Sequence, residues 1–479
     1  MTSSNARHER EIAKWDRESD LLIVGLGCAG AAATLDAAKS GADVVVIERA
    51  SGGGGTSAMS GGVIYLGGGT QLQTDCGFED TTEDMYKYLM ASSGPNPDEP
   101  KISLYCEHSL EHYQWFLDYD IPFNAVFYPG YSGEPPSADG LVFSGNEDTW
   151  PYNTIAKPAP RGHVPATPNQ TGWLLMQKLV EAIEKSSAEM ITDTRAVALV
   201  VDDDGGIVGA VTKRDGAEYT IRTSKGVVLT TGGFINNKSM LATYAPLLQQ
   251  CMFRVGAEGD DGSGISMGVS VGAAAINMAM GSISLPLIPP KRISRGILVN
   301  AQGQRFVNED AYMGTLGEHA VYHQEGKAYL LLDGETFEHP DVDREIAGVG
   351  ETIEELEGAL GVPAGSLEAT ISLYNRHAEN GEDPVFHKGP DYVVPLKPPY
   401  GAFDCTTANS LYAAFTLGGL HTNEEGQVLT PAGEVIPGLY GAGRATACIA
   451  APGYNSGMSI GDGTFFGRRA GRHAVTGSA

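Results

Sequence analysis

Asp20-Leu-Leu-Ile-Val-Gly25-Leu-Gly27-Cys-Ala-Gly30-Ala-Ala-Ala-Thr-Leu-Asp-Ala-Ala-Lys39-Ser-Gly-Ala-Asp43-Val-Val-Val-Ile-Glu48 is the stretch on which the fold turns. Leu21–Val24 is a short apolar run that ends on glycine. Small residues from Ala29 to Ser40 have the composition of a packed helix, and Asp43–Glu48 is a second apolar run. Strand, helix, strand in that order is a βαβ unit with a parallel pair. The glycines are spaced Gly25-x-Gly27-x-x-Gly30. The first permits a tight turn, the second lets backbone approach a pyrophosphate, and the third lets helix and strand pack closely. The amides and dipole of the helix then hold the phosphate anions. Glu48 ends the second strand, 18 residues after Gly30, where a carboxylate can accept both ribose hydroxyls. These residues together specify a dinucleotide site. Cys28 fills a variable position of the motif as a small residue in the turn.

The rest of the chain must be consistent with such a site. At 479 residues it is too long for one hydrophobic core and fits two or three domains. Its 63 glycines are about twice the usual share. They cluster after apolar runs without a repeat period, as expected for backbone packed against a ligand. A net charge of −27, from 59 acidic and 32 basic residues, argues against nucleic acid or an anionic membrane surface as partner. The six cysteines, Cys28, Cys76, Cys106, Cys251, Cys405 and Cys448, show no CxxC pair and no metal-like spacing. Reduced thiols in a cytoplasmic protein without a metal site are therefore expected. Met1–Arg17 is polar and charged, unlike a signal peptide. Gly262–Pro290 lacks charge but is broken by Gly, Ser, Asn and three prolines. It reads as a buried helix and then a strand, not a membrane span.

Along the chain, residues 51–70 form a glycine-rich loop, and apolar residues recur with helical spacing between Thr81 and Asp120. Residues 124–165, rich in Pro, Gly, Tyr and Asn, make a long irregular excursion. A helix is expected at Gly172–Lys185. Strands are expected at Ala196–Asp202, Ile207–Lys213, Glu218–Arg222 and Lys225–Thr231, the last ending in Gly232-Gly233. After Pro286, strand-like runs at Arg295–Asn300, Phe306–Glu309 and Ala328–Leu332 alternate with polar helices up to Pro399. Residues 405–479 return to the glycine-rich style. The expected class is α/β, a Rossmann-like dinucleotide domain (20–285 and 403–479) interrupted by an inserted α+β catalytic cap (286–402). Residues 1–19 would be an N-terminal arm, disordered or loosely tethered.

Past Glu48 the chain reads Arg49-Ala-Ser-Gly-Gly-Gly-Gly-Thr56-Ser57-Ala-Met-Ser-Gly61-Gly62. Three further segments are Val228–Gly233 (Val-Leu-Thr-Thr-Gly-Gly), Gly259-Asp-Asp-Gly262 and Gly438-Leu-Tyr-Gly-Ala-Gly443. In kind and order these resemble the FAD-dependent fumarate-reductase and 3-ketosteroid-dehydrogenase superfamily, over residues 20 to 470. The resemblance implies FAD contacts at Gly25, Gly27, Gly30, Glu48, Ser57, Gly61, Gly62, Gly443 and Ser459. It places Arg444 where the family has an acid. It also implies a helix over 457–470 whose N-terminus faces the flavin pyrimidine, where its dipole favours the reduced anionic form. Covalent attachment in the superfamily uses a His in the loop after the ribose acid. Residues 49–70 contain none, so FAD should be held non-covalently. No second GxGxxG follows a strand, so no separate NAD(P)H site is expected.

Fumarate reductases clamp a dicarboxylate with His and Arg. At the matching places this chain has Tyr312 after the segment Ile297–Glu309, Phe415 before Thr416-Leu-Gly418-Gly419, and Ser456 in Gly453-Tyr-Asn-Ser456. A dicarboxylate would lose several charge-assisted hydrogen bonds, each about 1.5–3 kcal/mol. A neutral, largely apolar ketone fits instead. Tyr312, Tyr454 and Ser456, within Pro-Gly-Tyr-Asn-Ser-Gly, look like the 3-ketosteroid Δ4-(5α)-dehydrogenases of steroid-degrading actinobacteria. That resemblance implies introduction of a C4–C5 double bond, with hydride leaving C5 for flavin N5. Tyr454 would donate to the C3 carbonyl, and Ser456, or Tyr312 acting through it, would take the C4 proton. Turnover also calls for an external electron acceptor, which no motif identifies. A Δ1-dehydrogenase or a fumarate-reductase-like enoate reductase is the second reading, although Δ1 enzymes have Tyr-Pro-Gly-x-Gly where this chain has Pro-Gly-Tyr. A non-catalytic flavoprotein, sensor or electron-transfer module, is the third, and the large cap argues against it. His421 lacks an evident acid partner and reads as structural. Tyr119, Tyr128, Tyr131 and Tyr152 either line the pocket or pack the excursion.

Overall fold

The computed structural model describes residues 6–130, 135–287, 290–340, 342–451 and 453–478. Val, Ile and Leu dominate Leu21–Val24, Val44–Ile47 and Val227–Leu229, and these residues are 0–4 % exposed. Strands so uniformly apolar must be covered on both faces, which is the condition of a parallel sheet. Five strands run parallel in the order Val435–Gly441, Ala217–Leu229, Arg17–Val24, Val44–Ile47 and Glu189–Ile191. The helix Cys28–Lys39 connects the third to the fourth and is buried along nearly its whole length.

A meander extends this sheet. Thr194–Val201 and Ile207–Arg214 pair antiparallel, and the second pairs antiparallel with the first half of Ala217–Leu229. The two strands expected at Glu218–Arg222 and Lys225–Thr231 are thus one strand, ending at Leu229. Its register shifts between Thr223 and Gly226. The bulge hands the strand from the meander to the parallel core, a long-range pairing that local sequence does not reveal. Residues 6–19 of the expected arm are docked rather than loose. Arg7–His8 pairs with Val200–Val201 at the sheet edge, and Glu9 binds Arg222 at 2.7 Å. An edge strand with free backbone groups is a ready template for such pairing.

Helices Thr82–Ser92, Glu99–Glu107 and Ser109–Asp118 fill the segment with helical spacing. The uncharged stretch folds as the helix Ser263–Ser270 and strands Ala275–Ile276 and Gly281–Ser284. Among the described residues no helix is long and apolar enough to cross a membrane. The insertion forms an antiparallel sheet in the order Ile297–Asn300, Ala328–Asp333, Tyr400–Asp404, Ile346–Gly350. Helices Ile353–Leu360 and Ser366–Ala378 cover it through Leu356, Leu367 and Ile371. Phe306–Glu309 is not a strand, because Arg305 and Glu309 are drawn into a buried ion cluster. Arg305 contacts Glu309 at 2.7 Å and Asp383 at 2.9 Å, and Lys388 contacts Glu309 at 2.9 Å. Only Arg305 bridges to Val299.

The last helix, Met458–Thr476, lies against Cys28–Lys39. A Cβ at Gly467 would stand 2.4 Å from the Ala29 carbonyl oxygen, and one at Gly471 would stand 2.3 Å from that of Ala33. Beside this seam Asp36 accepts from Arg468 at 3.2 Å and from Arg472 at 2.7 Å. Gly467→Ala should lower stability by about 1–3 kcal/mol through overpacking, although alanine is the better helix former. A melting temperature equal to that of the parent would show that the helices can move apart freely.

Candidate active site

The fingerprint turn is built as its spacing requires. Gly25 has φ +102°, and a Cβ there would lie 2.7 Å from the Thr230 carbonyl oxygen. A Cβ at Gly30 would lie 1.9 Å from the oxygen of Gly25. Around Gly27 the nearest atoms are Ser57 Oγ at 3.4 Å and Gly54 O at 4.0 Å, leaving an open approach. Ser57 Oγ accepts the Cys28 N–H at 3.1 Å and fastens the glycine-rich loop to the turn. That loop is further tied by Thr171, whose N–H and hydroxyl both donate to Gly61 O. Gly62 adjoins it, and Gly443 packs on Ala29 from the far end of the chain.

Glu48 is 9 % exposed. Its Oε2 accepts from Leu26 N–H at 2.8 Å and its Oε1 from Ala50 N–H at 2.9 Å. Each oxygen keeps a lone pair for a ribose hydroxyl. Thr231 Oγ1 is buried without a partner among the described residues, as suits a group that a bound polar ligand completes. The open face at Gly27, the carboxylate of Glu48 and this orphaned hydroxyl fit an adenine dinucleotide.

Arg444 points its charge into the protein. It donates to Asp260 at 2.8 Å, Thr56 donates to the same oxygen at 2.8 Å, and its guanidinium lies 5.2 Å from the Phe415 ring centre. The neighbouring Asp261 holds Arg49 and Arg195, each at 3.0 Å. The Gly259–Gly262 motif thus neutralises arginines from three parts of the chain.

Tyr312 Oη and Ser456 Oγ lie 2.7 Å apart, although 144 residues separate them in sequence. Tyr312 is 3 % exposed, and burial pushes its phenol well above the ordinary range. Tyr454 stands edge-on to Phe415, with ring centres 4.9 Å apart. Its Oη accepts the Ser459 N–H at 3.3 Å, at the start of the last helix. Burial also raises the Tyr454 phenol, while the bond from Ser459 acts the other way and favours proton donation.

Beneath these residues lies a network that sequence reading did not find. Asn146 Oδ1 accepts from Tyr312 N at 2.8 Å, and its Nδ2 donates to Thr315 at 2.8 Å. Tyr88 Oη accepts from Asn146 N at 2.7 Å and donates to Asn455 at 2.6 Å. Ser456 N donates to Ser144 O at 2.8 Å. The irregular excursion therefore supplies the bracket that holds both Tyr312 and Ser456. Asn455, between two candidate residues, carried the one available signal; Asn146 carried none.

Tyr152 stacks edge-on with Tyr88 at 5.6 Å, close to this bracket, whereas Tyr119 packs on Trp115 at 4.9 Å and Tyr128 packs with Val63, Val142 and Val164. Tyr131 lies outside the described residues. His421 is held by backbone bonds to Ala274 and Leu429, each 2.9 Å.

A family model described as "FAD binding domain" matches residues 20–461. The chain belongs to the FAD-dependent oxidoreductase family of the fumarate reductases and 3-ketosteroid dehydrogenases. A solved structure of this family is the 3-ketosteroid Δ4-(5α)-dehydrogenase of Rhodococcus jostii RHA1 in complex with 4-androstene-3,17-dione. It shares 43 % identity over 98 % of this chain and 100 % of its own, with a TM-score of 0.94. A 3-oxo-5-alpha-steroid 4-dehydrogenase of Comamonas testosteroni is 28 % identical over 90 % of this chain and 93 % of its own. A probable fumarate reductase of Shewanella frigidimarina is 28 % identical over 98 % and 76 %.

In this family setting the cradle makes two measurable demands. With no His in residues 49–70, acid precipitation should leave a yellow supernatant; a yellow pellet would mean a covalent flavin. Glu48→Ala deletes the ribose acceptor and also strands the Leu26 and Ala50 N–H groups. FAD affinity should fall by at least about tenfold, from the loss of charged hydrogen bonds, as read by flavin release on dilution.

Proposed function

We propose that this protein dehydrogenates 3-ketosteroids saturated at C4–C5, introducing a double bond there. The observation that carries this reading is the 2.7 Å contact between Tyr312 and Ser456, with Tyr454 two residues from Ser456. Two hydroxyls and a phenyl ring, Tyr312, Ser456 and Phe415, stand where the resemblance puts the charged anchors of the fumarate reductases. The chain is similar to the steroid enzymes named above over 90–98 % of its length, which supports the same reading.

Tyr454 holds its phenolic proton toward the C3 ketone and stabilises the enolate that forms as the C4 proton leaves. The Ser459 N–H, accepted by its oxygen, strengthens that donation. Ser456 takes the C4 proton, with Tyr312 bonded behind it. Gly25, Gly27, Gly30, Glu48, Ser57, Gly61, Gly62, Gly443 and Ser459 would hold FAD, which would supply the two-electron acceptor for the hydrogen at C5. The apolar wall beside Tyr454 is Phe415, whose ring also covers Arg444. Residues 20–285 with 403–479 act as the FAD-binding domain, and 286–402 as the cap over the substrate. The antiparallel sheet running from Ile297 to Asp404 supports that division. The six cysteines, all unpaired, support a reducing, cytoplasmic setting.

Under anaerobic conditions a 5α-saturated 3-ketosteroid should bleach the flavin and succinate should not. The product should carry a C4–C5 double bond; one with only a C1–C2 double bond would move the assignment to Δ1-dehydrogenation. Tyr454→Phe should slow flavin reduction by about a hundred- to a thousandfold, with a much smaller change in substrate binding. Near-normal reduction by that variant would return Tyr454 to a packing role.

A further inference from the structure

Tyr312 and Glu318 bound one short helix, Met313–Glu318, with Tyr312 as its N-cap. Both ends of the helix reach the same stretch of the loop that precedes the last helix. Tyr312 meets Ser456 at 2.7 Å, and the Glu318 carboxyl accepts from the backbone N–H of Tyr454. Tyr454 and Ser456 are two residues apart, so their Cα atoms lie within about 7 Å of each other, and the Tyr312 phenol feels the Glu318 charge.

Glu318 Oε1 is shielded from solvent and has no hydrogen-bond partner among the described residues. The chain then opens into a π-helical turn, His319–His323, a geometry that recurs at functional sites. The phenols near enough to feel the Glu318 charge are Tyr322 on its own turn, whose hydroxyl donates to Gly281 O, Tyr152 on the excursion, and Tyr312. The strand Gly281–Ser284, on which this helix packs, brings no charge. No Lys or Arg among the described residues is close enough to hold Glu318 ionised. Packing alone does not account for an acid placed there.

We propose that Glu318 receives the proton that leaves the substrate at C4, handed on through Ser456 and Tyr312. This rests on the steroid reading above. Burial makes the Tyr312 phenolate costly, so the hydroxyl pair can pass a proton on but cannot keep it. Ser456 Oγ takes the C4 proton as its own passes to Tyr312, whose proton goes to a bridging water while a water proton goes to Glu318 Oε1. One proton moves at each step, and the carboxylate becomes a carboxylic acid. Ser456, Tyr312 and the water end as they began. The electron pair of the broken C4–H bond stays with the substrate as its enolate.

Burial lifts the Glu318 carboxyl to about 8, so its accepting, deprotonated form fills as pH rises through that value. The kcat/KM for flavin reduction by a 5α-saturated 3-ketosteroid should therefore climb about tenfold per pH unit below about pH 8 and level off above it. Glu318→Gln keeps an acceptor for the Tyr454 N–H but cannot take the proton. It should flatten the rise and slow reduction by at least about tenfold, with FAD content and affinity for the enone product unchanged. Glu318→Asp should restore part of the pH dependence. An infrared pH titration of the holoenzyme should show a protonated carboxyl that ionises near pH 8 and is missing from Glu318→Gln. Parental rate and pH profile in Glu318→Gln would overturn the proposal. If the parent enzyme is not reduced by the steroid at all, the steroid reading fails. The infrared titration then still decides the state of Glu318, and no carboxyl ionising in that range would overturn the proposal on its own.

Discussion

The helices Cys28–Lys39 and Met458–Thr476 touch backbone to backbone, and the rest of the molecule is arranged around that contact. Gly467 and Gly471 leave no side chain between the helices, so the carbonyls of Ala29 and Ala33 lie directly beneath them. Such closeness fixes the position and rotation of the last helix, because helix surfaces without side chains meet in few orientations. Asp36, receiving Arg468 and Arg472 at the edge of the seam, fixes its axial position as well. What precedes the last helix is then placed relative to the dinucleotide turn. Gly443 comes to rest on Ala29, and Tyr454 and Ser456 come to rest one helical turn from the start of the helix.

The chemistry of the site follows from the removal of charge. On the proposed reading Tyr312, Phe415 and Ser456 take the places of charged dicarboxylate anchors, and the nearby Arg444 is neutralised on Asp260. Hydroxyls and rings in place of charged anchors would admit an apolar ketone at little desolvation cost. Burial makes the phenols of Tyr312 and Tyr454 weaker acids. Hydrogen bonds then set the roles. The Ser459 N–H biases Tyr454 toward donation, and the network of Asn146, Tyr88 and Asn455 fixes the backbone that presents Tyr312 and Ser456.

The cap uses buried charge for another purpose. Arg305, Glu309, Asp383 and Lys388 form a closed set of ion pairs, with the Arg305 guanidinium between the rings of Tyr374 and Phe386, each 4.9 Å away. Burying four ionised groups adds little net stability, but removing any one would leave its partner unpaired at a cost of about 3–5 kcal/mol. The cluster therefore favours one arrangement of the turn after Ile297–Asn300, and that turn leads into Tyr312.

The dinucleotide turn, its βαβ unit and an α/β class were legible in the amino-acid sequence, and its resemblance to known enzymes named the cofactor. Each depends on local spacing: glycines at fixed intervals, apolar runs of strand length, and an acid at a strand end. That resemblance also marked Tyr312, Phe415 and Ser456 as the places where expected charges were missing. The contact between Tyr312 and Ser456, their hold by Asn146 and Ser144 from an irregular segment, and the unpartnered Oε1 of Glu318 are decided only by tertiary packing. It also decided that the strand through Ala217–Leu229 is continuous and that the arm pairs at the sheet edge. These facts concern residues from tens to hundreds of positions apart. Hydrogen bonds between such residues leave no periodicity in the chain, since their geometry is set only when distant elements pack.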